Sequence, residues 1–329
     1  MGKFKFDVAI GNPPYQEEDG GAGKSAKPLY HLFVEAVKDV DPELMSFIIP
    51  ARWYAGGKGL NDFRMDMLSD KHMKRLVDYE NFRDVFPSVD LAGGVCFFIR
   101  DGKHDGPCDV YNCTDKVISK ESRFLDEYPV FIRSNEAISI VRKVQQKHHG
   151  KYMDETVSAS KPFGIRTFYQ PKEKGIPCQF IQRIGLKYAD PDDITDNFDL
   201  LDKWKLLVPR SPIAGQTDFT KPVKFYYDKN TRIIPPGTCC TESFIVVFHS
   251  KNKEEVESFK TYLYTKTVRF LLLQSVVSQD VTREKFRFVP ALEKYEGRYT
   301  DEQLCQAWGI TDDEWKFIDS KIGEAVADA

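Results

Sequence analysis

Residues 6–15, FDVAIGNPPY, constrain the chain more than any other stretch, because an apolar strand there runs straight into a turn that two prolines make rigid. Phe6 to Ile10 has the pattern of a short strand covered on both faces, and Gly11 closes it. Such strands belong to parallel sheets packed between helices. Pro13 and Pro14 fix the backbone and remove two N–H donors, so carbonyl oxygens are left to face a ligand. Asn12 adds a side-chain carbonyl and Tyr15 a flat ring. In open α/β sheets ligands bind beyond the carboxyl ends of the strands, which is where this tetrapeptide falls. An exocyclic amine could donate one hydrogen to Asn12 and the other to the Pro13 carbonyl, which would aim its lone pair at an electrophile. Tyr15 could stack a base, worth ~1–3 kcal/mol. The plain structural alternative is a proline-rich turn beside a buried tyrosine.

The first third continues as alternating strands and helices. Helical spacing covers 28–41 (Leu29, Phe33, Val37, Val40) and 59–69 (Leu60, Phe63, Met67). Strand patterns cover 44–49, 73–79 and 94–99, which together predict parallel crossovers and an α/β sheet. After about residue 105 glycine, proline and turn residues recur. A helix is expected over 134–147, a strand over 243–249 and a helix over 253–274, giving a separate mixed α+β domain. Thr300 with Gln303, and Thr311 with Glu314, have capping-box spacing and predict two short tail helices. The expected domains are 1–105, 106–295 and 296–329.

Charge follows the same division. Residues 1–110 carry a net −4, residues 111–295 a net +7 and residues 296–329 a net −6. A basic block between acidic ones points to a polyanion partner, although random variation in surface charge gives the same pattern equally well. Lys161, Arg166, Arg183, Arg210 and Lys224 are its candidate contacts to phosphate or to a guanine edge, against a plain solvated role. No run of ~18 apolar residues exists, so no membrane span is expected. The seven cysteines lack a CxxC pair and even spacing. That argues against a zinc site or a disulfide framework and for a reducing cytoplasm. His148-His149 reads as a polar helix end.

The Asn12-Pro13-Pro14-Tyr15 segment resembles motif IV of amino-group DNA methyltransferases, in the NPPY form typical of N6-adenine enzymes. Ile48 to Tyr54 is similar to the strand and turn that follow in that family. Phe86-Pro87-Ser88-Val89 with Gly93 to Phe98 resembles the motif that closes the adenine pocket. Ser160 to Gly164, Thr241 to Phe244 and Thr300 to Glu302 with Leu304 are similar to the recognition domain and tail of type II restriction–modification methylases. The resemblance implies an S-adenosylmethionine-dependent enzyme that flips an adenine from double-stranded DNA. Asn12 and Pro13 would hold the amine, Tyr15 would stack on the base, and Phe86 would stack opposite it. Arg52 and Trp53 would brace the site or simply pack.

One departure matters. In that family a glycine-rich loop upstream of NPPY builds most of the cofactor site, and here eleven residues precede Asn12. The clusters Gly20 to Gly23 and Gly56 to Gly59 do not follow a strand and open a helix; they read as mobile loops. The expectation is a partial Rossmann-like methyltransferase sheet, inactive alone, with its other half or a partner chain needed to cover the first strand's open edge. A non-catalytic DNA-recognition module remains the alternative. An NPPY enzyme acting on protein glutamine or RNA fits the long basic region less well.

Overall fold

The computed structural model describes residues 6–17, 27–57, 59–87, 93–114, 117–181, 183–214, 221–227, 230–276 and 280–325. The chain divides into two compact units, 1–138 and 139–329.

The first unit is a six-stranded mixed sheet with helices in its crossovers. Strand β1 (Val8–Gly11) leads through helix α1 (Tyr30–Val40) to β2 (Leu44–Pro50), which pairs parallel to it, Val8 opposite Leu44. Helix α1 stops at Asp41, whose left-handed φ of 53° a short polar side chain tolerates, with Pro42 preventing continuation. Helix α2 (Asn61–Ser69) leads to β3 (Met73–Tyr79), and β4 (Val95–Asp101) then inserts antiparallel between β2 and β3. β2 and β3 therefore run the same way, as the helical crossover predicts, but do not touch.

The sheet does not stop near residue 105. β5 (Cys108–Thr114) pairs parallel to β3, and β6 (Val117–Arg123) folds back on β5, giving the order β1-β2-β4-β3-β5-β6. Met45, Phe47, Ile49, Phe63, Met67, Leu76, Phe98 and Val110 are buried in one core. Asp70 accepts from Lys38 at 2.9 Å and from Arg100 at 2.9 Å, tying α1 and β4 to the end of α2.

In the second unit, helix α3 (Asn135–Lys147), whose first residues lie in the first unit, buries Ile140, Val141 and Val144. His148 follows it as a polar end, its ring nitrogen 2.8 Å from the Lys151 carbonyl. Two three-stranded sheets follow. One joins β7 (Ile176–Gln179), β8 (Leu186–Ala189) and β11 (Cys239–Cys240). The other joins β9 (Trp204–Pro209), β10 (Arg232–Ile234) and β12 (Phe244–Ser250). The helix expected over 253–274 is two, α4 (Lys253–Tyr264) and α5 (Lys266–Leu273). They break at Thr265, whose extended backbone and side-chain bond to the Val268 N–H make it the cap of α5. The tail helices α6 (Asp301–Trp308) and α7 (Asp312–Lys321) both start with complete capping boxes. All seven cysteines are free thiols. No helix among the described residues is long and apolar enough to cross a membrane.

Candidate active site and nucleic-acid interface

The NPPY turn leaves the sheet at the carboxyl end of β1. Gly11 is needed there, because a Cβ would stand 2.5 Å from the Phe47 ring. That ring is packed in the core against Phe98. Gly11→Ala is expected to cost about 1–3 kcal/mol through overpacking, read as a lower urea midpoint with an unchanged slope. Asn12 is exposed, Pro13 buried, Pro14 exposed and Tyr15 half-buried. The Asn12 amide has no hydrogen-bond partner among the described residues. The turn is pinned on its far side: Leu29 N–H donates to the Tyr15 carbonyl at 3.1 Å, and Gln16 bridges Pro28.

Beneath the turn lies an aromatic floor. The Tyr15 side chain packs on the core of the sheet, and its hydroxyl is buried without a partner among the described residues. Burial and the nearby Cys96 thiol push its pKa up to about 12, so it is a neutral phenol at every physiological pH. Trp53, fully buried in the tight turn of residues 51–55 after β2, donates its Nε1–H to Cys96 Sγ at 3.4 Å. Burial likewise raises the Cys96 thiol to about 12, which makes it inert rather than nucleophilic. Arg52, by contrast, is exposed.

A clamp that no local pattern announces holds the neighbouring loops. Arg133 donates Nε–H and Nη2–H to the two oxygens of buried Asp78, at 2.7 and 2.8 Å, and Nη1–H to the Gly93 carbonyl at 2.9 Å. Its guanidinium lies 5.5 Å from the Tyr54 ring centre. Gly94 sits beneath it at φ +85°, where a Cβ would stand 2.3 Å from the Tyr79 carbonyl. Arg64 holds the same region, donating to the carbonyls of Tyr54 at 2.9 Å and Pro129 at 3.2 Å.

Phe86 lies half-buried after the turn of residues 82–84, its N–H bonded to the Phe82 carbonyl at 2.8 Å. Among the described residues no ring contact joins it to Tyr15. Ser88, Val89 and Gly20 to Gly23 lie outside the described residues. Gly56, Gly57 and Gly59 all have positive φ and link the turn of 51–55 to α2.

The basic candidates fall in the second unit. Lys161, Arg166, Arg183 and Lys224 are exposed. Arg166 lies 6.0 Å from the ring centre of exposed Phe168. Arg210 differs: it is half-buried at the end of β9 and ion-paired to Asp280 at 3.3 Å. Thr167, next to Arg166, and Arg210 line one cleft of about 420 Å3. Lys161, Arg183 and Lys224 are not among the described residues that line it.

Residues 1–86, which carry the NPPY turn and β1 to β3, match the sequence model of the Eco57I restriction-modification methylase family. The expected likeness to restriction–modification adenine methylases is thus present in this segment. Over 109 residues the chain is 34% identical to a protein of Mycoplasma pneumoniae described as an adenine-specific methylase, covering 32% of this chain and 26% of that protein. Among solved structures it is similar to the type IIG restriction endonuclease BpuSI, at 11% identity and a TM-score of 0.36 over 87% of this chain and 44% of that one. It is also similar to the type IIL restriction-modification enzyme MmeI solved in complex with DNA, at 10% identity and a TM-score of 0.39 over 88% and 45%.

Proposed function

We propose that this chain supplies the amine-binding and DNA-reading parts of a site-specific DNA adenine-N6 methyltransferase of restriction–modification type. The observation that carries the reading is the NPPY turn at the carboxyl end of a parallel strand, with an exposed Asn12 side chain and Tyr15 packed on the core of the sheet. Asn12 Oδ1 and the Pro13 carbonyl accept the two hydrogens of the adenine amine, which aims its lone pair. Tyr15 stacks on the flipped base, whose extrusion from the duplex costs a few kcal/mol. Phe86, Gly93 and Gly94 belong to the wall that closes over it. The exposed Lys161, Arg166, Arg183 and Lys224 bind the DNA backbone. Free thiols fit a cytoplasmic enzyme.

The methyl donor implied by the likeness is S-adenosylmethionine. The described residues do not form its cradle. Among the described residues, Pro13 and Pro14 of the turn after β1 have no amide N–H to offer it, and the glycines at 56, 57 and 59 follow a tight turn rather than a strand. Among the described strands β1 is also an outer one, with Val8 51% and Ile10 81% exposed. A further strand, from the same polypeptide or a partner, pairs with that edge and carries the cofactor loop.

Salt titration of duplex binding tests the DNA part of this reading. The logarithm of affinity should fall linearly with the logarithm of salt concentration. Each of Lys161→Ala, Arg166→Ala, Arg183→Ala and Lys224→Ala should flatten the slope by about 0.9. Binding that ignores salt removes the DNA assignment.

A further inference from the structure

The cleft in the second unit has a lining that differs from a phosphate site. Arg210 is the cation among its described lining residues, yet Asp280 and Glu242 stand in the same cleft with the hydroxyls of Thr167, Ser211 and Ser243. Two carboxylates repel a phosphate. A mixture of a fork-shaped donor, fixed acceptors and hydroxyls that serve as either matches the donor and acceptor pattern of base edges in the major groove.

Backbone hydrogen bonds join the wall segments. Arg210 N–H donates to the Ser243 carbonyl at 3.0 Å and its carbonyl accepts from Val281 at 2.7 Å, while Glu242 N–H donates to Ile165 at 2.8 Å. The side chains are tied too. Asp280 pairs with Arg210 and also accepts from the Ser211 hydroxyl. Glu242 Oε1 accepts from the Thr167 N–H at 3.3 Å, and the Thr167 and Ser243 hydroxyls are 2.9 Å apart. The contact between Arg210 Nη2 and Asp280 Oδ2 restrains the guanidinium, and two-point recognition requires a held fork. Arg210 lines the cleft with its side chain 35% exposed, although its Nε is buried and faces away from any ligand there.

We infer that this cleft reads bases rather than backbone, Arg210 selecting a guanine through its O6 and N7 edge and Glu242 selecting an exocyclic amine on a neighbouring base. The inference rests on the DNA-methyltransferase reading and sharpens it, since it names which residues set the target sequence.

The test is selection of duplexes from a randomised pool by the full chain, followed by salt titration on the enriched sequence. Wild type should enrich a motif containing guanine. Arg210→Ala and Arg210→Lys should both lose preference at one guanine position, by roughly tenfold to a hundredfold. Arg210→Lys should keep the wild-type salt slope, because it keeps the charge and loses only the fork. Glu242→Gln should relax a different position. If Arg210→Lys keeps full guanine preference, or if Arg210→Ala weakens all sequences equally and flattens the salt slope by about one, Arg210 contacts phosphate and the inference falls while DNA binding stands. A wild-type chain that enriches no motif overturns both the inference and the reading beneath it. Thermal unfolding of each variant identifies folding failures, and Arg210→Lys and Glu242→Gln, close in size to the native side chains, decide if Arg210→Ala does not fold.

Discussion

Asn12→Ala is expected to lower turnover by about 10²–10³ in an assembly competent for methyl transfer, equivalent to ~3–4 kcal/mol of a charge-developing hydrogen bond in a water-excluded site. The amide is exposed and unpartnered among the described residues, so its loss disturbs nothing in the fold, and stability should stay within about 0.5 kcal/mol of wild type. Position 15 provides the contrast. Tyr15→Ala removes the stacking surface and should cost ~1–3 kcal/mol in capture of the flipped base. Tyr15→Phe removes only a buried hydroxyl that bonds to nothing described, so it should lose far less than Tyr15→Ala. Single-turnover methylation rates with thermal unfolding decide both. A harmless Asn12→Ala, or a Phe as damaging as Ala at position 15, overturns the roles assigned to NPPY.

The second large effect is structural and lies beside the first. Arg133→Met leaves Asp78, whose side chain is 4% exposed, facing only the Asn112 amide at 3.4 Å among its described partners. Stranding a buried carboxylate is expected to cost about 3 kcal/mol. The same substitution frees the Gly93 carbonyl and uncovers the Tyr54 ring. Urea unfolding should show a large drop in midpoint. The double variant Asp78→Asn with Arg133→Met should lose clearly less than the sum of the singles, because the pair is the unit. Additive losses would mean that the two side chains act separately.

Local chemistry made part of this legible in the sequence. Gly11 before two prolines marks the end of β1, and the capping boxes at Thr300 and Thr311 form as their spacing demands. Other features have no local signature. β5 and β6 alternate with polar residues such as Asp109, Asn112, Lys120 and Glu121, so they resemble the turn-rich region around them, and only pairing with β3 makes them part of the first sheet. Asp78 and Arg133 are 55 positions apart, and ion pairing at that separation leaves no periodicity. Thr265 interrupts an apolar pattern that reads as one helix, because a cap shows in hydrogen bonding rather than in hydrophobicity. The cleft around Arg210 is assembled from segments near residues 167, 210, 242 and 280, each unremarkable alone.

The insertion of β4 between β2 and β3 also sets a timetable for synthesis. A ribosome adding about 5–20 residues per second finishes β2 at Pro50 but does not begin β4 until Val95. For several seconds the nascent β1–β2 ribbon has no strand on its inner side, and β3 has nothing of the sheet to join. The site's turn is therefore made early and secured late. Mutations in β4 should then act first on the yield of folded chain during expression, before any effect on binding can be measured.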